Sequence, residues 1–300
     1  MKNQQQKVQI SAEDKVLYTV TNICLCILFV IVAYPLIYVI SSSFSSGRAV
    51  ASGRVVLWPV EPSFEGYRTA FSYRAVLTGY RNTIIYTLVG TVINVAMTLF
   101  AAYPLSRRTF HARKFYMTLF IITMFFSGGL IPSYILIVQL KLLNTIWALV
   151  LPGAISTYNM IITRTFFLSS IPTELLEASQ IDGCSDFRFF AVILLPLSKA
   201  IIAVIALFYG IAHWNSWFSA MLYLRNPDMR PLQMVLRDIL IAVSIDTSQI
   251  QDPEVLERMT FLADIMRYSL IVIATVPIVA IYPFIQKFFI KGVMIGSLKG

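Results

Sequence analysis

The sequence predicts an all-α polytopic membrane protein with six transmembrane helices, and three observations carry that expectation. Of its 300 residues, 57% are hydrophobic and only 13% are charged, about half the charge of an ordinary soluble domain. The apolar residues come in six long blocks, 18–40, 83–105, 116–138, 146–163, 200–221 and 268–285. None of the blocks contains Asp, Glu, Lys or Arg, so every charge falls in a connection.

A helix that crosses a bilayer needs about 20 apolar residues. Backbone polar groups in lipid must be satisfied within their own segment, so these blocks must be helical. The first block is too long for a signal-peptide core and ends in Ser41-Ser42-Ser43-Phe44, no obvious cleavage site, so it is read as a helix. The second, 83–105, is uncharged throughout. In the third, Gly128-Gly129 and Pro132 are expected to bend or end the helix. The fourth and sixth are the shortest, and Pro277 and Pro283 are expected to bend the sixth. Such breakers are ordinary kinks or hinges, and glycine and proline are commoner in membrane helices than in soluble ones.

Orientation follows from Lys and Arg in short loops. The loop 106–115 holds Arg107, Arg108, Arg113 and Lys114 and is expected to be cytoplasmic. Alternation then places residues 1–17, the loop 164–199 and the tail 291–300 inside, around a span domain 18–290. It leaves 41–82, 139–145 and 222–267 outside.

Several classes are excluded. The net charge of +9 is spread between apolar blocks, unlike the clustered basic face that reads nucleic acid. Cys24, Cys26 and Cys184 lack the spacing of a metal or disulfide framework. No GxxxxGK[ST] phosphate loop occurs. Two histidines, expected on opposite sides of the membrane, cannot build a catalytic site. The alternative class is a secondary, ion-coupled solute carrier. Such carriers place ionisable residues in their spans, and here the spans hold only His213.

The loop 164–199 is the most specific feature. Its core, 172–196, reads as a helix, a turn and a helix. Pro172 suits a first helical turn, and Gly183 the left-handed position after a helix end. Ser185 or Asp186 can cap the second helix, which holds Phe187, Phe189 and Phe190 in its early turns. Pro196 lies where that helix must kink or hand over to the fifth span. Leu175, Leu176, Ala178 and Ile181 are expected to form an apolar side, with Glu174, Glu177 and Asp182 as acidic points. Such a helix suits docking into a groove on a soluble partner. Packing on the chain's own spans fits the pattern equally.

The same stretch resembles the EAA motif of binding-protein-dependent ABC importer permeases. Glu177-Ala178-Ser179 matches its start, Asp182-Gly183 its centre, and Ile193, Leu195 and Pro196 its end. Ser179 and Cys184 stand where alanine is usual; both are small. The resemblance covers nearly the whole chain and is closest to the second permease subunit of maltose-type carbohydrate systems. Asn82-Thr83, Ala102-Tyr103-Pro104-Leu105-Ser106-Arg107 and the end from Lys291 to Gly300 also resemble that subfamily. The run Gly129-Leu130-Ile131-Pro132-Ser133-Tyr134 resembles its branch that imports oligosaccharides from complex polysaccharides.

The resemblance implies a type I importer permease in a bacterial plasma membrane, with both termini cytoplasmic. Its loop helix would be a coupling helix seated on an ATPase, with Glu174, Glu177, Ala178, Ser179, Asp182, Gly183, Ile193, Leu195 and Pro196 as the docking loop's residues. The tail residues Lys291, Gly292, Lys299 and Gly300 would also touch the ATPases. Expected partners are a homologous second permease, two ATPase subunits that bind ATP and Mg, an extracytoplasmic solute-binding protein, a sugar and membrane lipid. No cofactor is expected in this chain. The 222–267 segment, with Asp228, Asp238, Asp246, Asp252, Glu254, Glu257 and Asp264, would reach the binding protein; a plain solvated loop is the other reading. Along a sugar path, His213, Trp214, Asn215 and Trp217 combine aromatic faces with polar neighbours. Tryptophan near an interface is also a headgroup anchor. Asn94, Tyr158 and Asn159 are further polar candidates, for which helix–helix bonding is an equal reading.

Overall fold

The computed structural model describes residues 11–245 and 253–297, and every regular element among them is helical. In chain order these are α1 (Ala12–Ser43), α2 (Gly47–Ala51), α3 (Glu65–Ser72), α4 (Arg74–Ser106) and α5 (Arg113–Phe125). Then come α6 (Leu130–Gln139), α7 (Trp147–Val150), α8 (Thr157–Ser170), α9 (Thr173–Ile181) and α10 (Asp186–Arg188). A π-helical stretch, Phe189–Leu194, joins α10 to α11 (Leu195–Leu197). The chain ends with α12 (Lys199–Trp214), α13 (Phe218–Tyr223), α14 (Leu232–Ile245) and α15 (Pro253–Ser297).

Three described helical stretches are long and apolar enough to cross a membrane: Glu13–Ser43, Arg74–Ser106 and Met259–Phe284. The expected blocks 18–40, 83–105 and 268–285 fall on them. Two bent pairs bring the number to five if each is one broken span. The pair α5 and α6 is bent by 115°, and Gly129 at the break has φ +85°. This is the interruption that Gly128-Gly129 encodes.

The remaining blocks differ from expectation. Block 146–163 is not one helix. The segment 151–156 interrupts it after α7, at Pro152-Gly153, and α8 continues to Ser170. Proline lacks a donor and glycine pays extra entropy, so the pair ends a helix even in apolar surroundings. Block 200–221 breaks at 215–217 between α12 and α13. There the Asn215 side-chain amide donates to the Ile211 carbonyl at 3.0 Å and competes with the helical ladder. Pro277 and Pro283 lie inside α15, which continues helically through both. The segment expected as an outside loop, 222–267, contains α14 and the first turns of α15.

The chain divides into two compact units, Met1–Ala70 with Val243–Ile273, and Phe71–Ala242 with Ala274–Gly300. In the first, Ser41, Ser42 and Ser43 at the end of α1 are buried, and two of them bond through their hydroxyls. Ser41 Oγ donates to the Leu57 carbonyl at 2.6 Å, and the Ser43 hydroxyl pairs with Tyr67 OH at 2.7 Å. Gly47 sits so close to α15 that a Cβ there would meet Phe261 backbone and side-chain atoms at 2.6 Å. Nearby, the Ser46 hydroxyl and the Arg54 guanidinium hold the Glu61 carboxyl below its ordinary range.

The second unit is organised on α4. Its buried core joins Leu99, Ala102 and Leu105 to Met160 and Phe167 of α8, Phe189, Phe190 and Leu194, and Ile205 and Tyr209 of α12. Within lipid, burying apolar surface drives little; close packing and interhelical hydrogen bonds hold helices together. Such bonds are present. Thr83 Oγ1 accepts from Leu232 N at 2.8 Å, and Tyr86 OH donates to the Met229 carbonyl at 2.8 Å.

Candidate functional site

Two places gather the residues that the sequence singles out. The first is the helix–turn–helix of α9 to α11. Pro172 is the N-cap of α9, with φ −60° and ψ 141°. Gly183 takes the left-handed conformation at φ +73°, and a Cβ there would meet nothing among the described residues within 4 Å. The Ser185 side chain caps α10 by accepting from Arg188 N at 3.3 Å. After Pro196 the chain turns by 81° into α12.

α9 packs through Leu175, Leu176 and buried Ser179. Its other side carries Glu174, Glu177, Ala178 and Ile181, all exposed, at the i, i+3, i+4, i+7 spacing of one helical face. Ala178 and Ile181 therefore do not join Leu175 and Leu176 as expected. Two apolar pairs lie on different faces of this nine-residue helix, and only Leu175 and Leu176 meet the core. Ile181 is 87% exposed, and Phe187 just beyond the turn is 70% exposed. Asp182 and Gly183 are exposed beside them. Ile193 and Leu195 pack on the core, whereas Pro196 is exposed. Lys291 and Gly292 continue α15 on its backbone; Lys299 and Gly300 lie outside the described residues, as do Asp246 and Asp252.

The second place is a polar junction between α4, α12 and the break before α8. Asn94 is buried. Its amide donates to the Gly153 carbonyl and its Oδ1 faces His213 Nε2 at 2.6 Å. With the amide NH2 committed to a carbonyl, Oδ1 is an acceptor and His213 carries its proton on Nε2. Gly90 is what lets His213 fit: a Cβ there would fall under 3.0 Å from Nε2, Cε1 and Cδ2 of the ring. One turn further along α4, the Thr98 hydroxyl bonds Tyr209 OH at 2.7 Å, and Tyr209 OH accepts from Ser156 N at 2.9 Å. The break at 151–156 is thus pinned at Gly153 and Ser156 by side chains of α4 and α12.

The other path candidates are dispersed. Trp214 is buried; its indole N–H donates to the Ala274 carbonyl at 3.0 Å and its ring meets Tyr80 edge-on. Asn159 is buried, and its carbonyl accepts from Thr163 Oγ1 at 2.7 Å. Tyr158 is 56% exposed. Trp217 is 40% exposed, with the Arg237 guanidinium 5.1 Å from its ring centre. Gly90, Gly153, Thr98 and Tyr209 escape sequence reasoning. The one local sign is a small residue, Gly90, in mid-span, where close helix approach calls for one. Among the described residues no group of three or more His, Cys, Asp or Glu could hold a metal.

Residues 72–295 match the family described as binding-protein-dependent transport system inner membrane component. Protein LplC of Bacillus subtilis (strain 168) is 41% identical over 271 residues, which cover 89% of each chain. The polygalacturonan/rhamnogalacturonan transport system permease protein YtcP of the same organism is 39% identical, covering 89% of this chain and 92% of that one. A solved chain from a bacterial ABC transporter involved in import of the acidic polysaccharide alginate superposes with a TM-score of 0.82. It is 30% identical, over 93% of this chain and 98% of that chain. The all-helical fold, the helix–turn–helix with its left-handed glycine and these likenesses agree: the chain belongs to the family of binding-protein-dependent transport system inner membrane components, which are transport permeases and not enzymes.

Proposed function

We propose that this chain is one of two permease subunits of an importer that carries an oligosaccharide from a polysaccharide source across the bacterial plasma membrane. Separate ATPase subunits bind ATP and Mg and supply the energy. A solute-binding protein delivers the sugar from outside. The observation that carries the reading is α9. It is fixed through Leu175, Leu176 and Ser179, and presents Glu174, Glu177, Ala178 and Ile181 uncovered by the described residues. A helix so arranged is the half of an interface that fits a groove in a soluble partner. The names of the relatives support the sugar class.

In this reading ATP closes the two ATPases, draws the seated α9 helices together and turns the pathway outward; hydrolysis returns it. The ligand acts on one of two global states, and the docked helix links it to the pathway. The basic loop 106–115 lies on the cytoplasmic side, and the contact of Arg107 with Phe189 supports the same side for α9. Tyr158 and Trp217 keep exposed ring surface suited to sugar C–H faces. Asn94, Asn159, His213 and Trp214 serve helix packing, and Asn215 ends α12. Lys291, Gly292, Lys299 and Gly300 contribute a second contact to the ATPases.

The test is affinity purification of the tagged chain from native membranes in mild detergent, with mass spectrometry of the proteins retained. An ATPase and a second permease are expected to co-purify. Recovery of the chain alone, or only as a homo-oligomer, in several detergents would count against the coupling account and bring the self-contained carrier back into consideration.

A further inference from the structure

Arg107 is marked in the sequence as one charge of an orienting loop and as the end of the run 102–107 that resembles the carbohydrate permeases, yet it is also tied into the core. It is the C-cap residue of α4. Its guanidinium carbon lies 4.5 Å from the centre of the Tyr103 ring and 4.7 Å from that of Phe189. Tyr103 belongs to α4, whereas Phe189 opens the π-helical stretch directly after α10. Arg107 Nη2 also donates to Tyr103 OH at 2.8 Å, and Tyr103 OH donates to the Asp186 carbonyl of α10 at 3.2 Å. Phe190 completes the contact, stacked on Phe100 at 5.3 Å and tilted against Tyr103 at 5.1 Å.

The chemistry is that of a clamp. A planar cation between two aromatic faces is held more strongly as water is removed. Phe189 is fully buried, and Arg107 Nε is buried without an acceptor among the described residues. An orphaned N–H is costly, so the ring contacts and the Nη2 bond must hold the group where it is. A second arginine braces the same helix end: Arg164 Nε of α8 donates to the Leu105 carbonyl, left free at the C-terminus of α4, at 2.8 Å. The helix that follows the turn after α9 is thereby joined to the helix that carries Gly90, Asn94 and Thr98.

We infer that Arg107 is a positioning residue that locks the α9–α10 turn to α4, so that displacement of the docked helix is passed to the membrane interior as a movement of one body. The inference rests on the docking role proposed for α9, but its local part does not require a partner. Coupling between distant sites travels through such packed connections, and single residues along them typically change it by factors of a few to tens. Lysine keeps the charge but lacks the plane and the fork, so Arg107→Lys restores the lock only in part.

Spin labels at Gln180→Cys and Leu88→Cys, both exposed positions, report the distance between α9 and the middle of α4. Cys24, Cys26 and Cys184 are first replaced by serine. The complex is reconstituted in lipid nanodiscs and measured by double electron–electron resonance without nucleotide and with ATP and vanadate. The native arginine is expected to give one narrow distance distribution, the same in both states. Arg107→Ala is expected to add a second, longer-distance population, and Arg107→Lys a smaller one. Tyr103→Phe, which keeps the ring and loses both hydroxyl bonds, is expected to broaden the distribution if the alanine variant does not fold. An unchanged narrow distribution in Arg107→Ala and Tyr103→Phe, or a native distance that changes between the two states, would overturn the lock. If no ATPase assembles on the native chain, it is docking that has failed, while the nucleotide-free distances still decide the clamp.

Discussion

Gly183→Trp is expected to insert in the membrane and keep its fold, while import falls to background. Two facts about the same atom lead there. Gly183 has φ +73° and open space where its Cβ would be. The local cost is therefore the left-handed backbone, about 1–2 kcal/mol for a residue with a side chain, and not a clash in the core. A protein with ordinary stability survives that loss. The indole, however, stands next to Asp182 on the exposed turn, two residues from Ile181, where a partner must approach closely. Membrane insertion by fractionation, ATPase recovery in pull-down and uptake in cells form the check. Normal uptake by the variant would show that the turn is not an interface.

Gly90→Ala is expected to weaken the second unit, and Gly210→Ala to leave it as stable or slightly more so. Both glycines lie in mid-helix on neighbouring helices, so the intrinsic gain from alanine is similar. Their surroundings differ. A Cβ at Gly90 would run into the His213 ring, whereas one at Gly210 would meet only Thr91 Oγ1 at 3.7 Å, an ordinary contact. The His213 ring can yield only by giving up its bond to Asn94. A buried polar group left without its partner costs about 1–3 kcal/mol. Overpacking adds a similar amount if the ring does not move. Thermal unfolding of both variants in one detergent checks the difference; equal stability of the two would remove the steric role given to Gly90.

The sequence reveals most where a signal is local. Long runs without charge yield α1, α4 and α15 because each such run has to satisfy its own backbone in lipid. Gly183 and Ser185 announce the end of one helix and the start of the next, since only certain residues suit those positions. The break at Pro152-Gly153 is equally local, but the apolar character of the block outweighs it when blocks are read by composition. The faces of α9 are less legible. Leu175 and Leu176 on one side and Ala178 and Ile181 on the other are both apolar, and only tertiary packing decides which pair is covered. Least legible are the pairings across the chain. Asn94 and His213 are 119 residues apart, and Arg107 and Phe189 meet from separate helices. Nothing in either neighbourhood encodes the other.

The central claim is that the exposed face of α9 is seated in an ATPase. The most direct measurement places a photo-cross-linking residue, p-benzoylphenylalanine, at Ile181, which is 87% exposed, and irradiates native membranes in which the whole importer is expressed. The same probe at Tyr158 serves as the control. The account predicts a covalent adduct between position 181 and an ATP-binding subunit, absent from the control and lost when Gly183→Trp is added. Adducts at 181 only to lipid or to this chain itself, with the ATPase present, would contradict it.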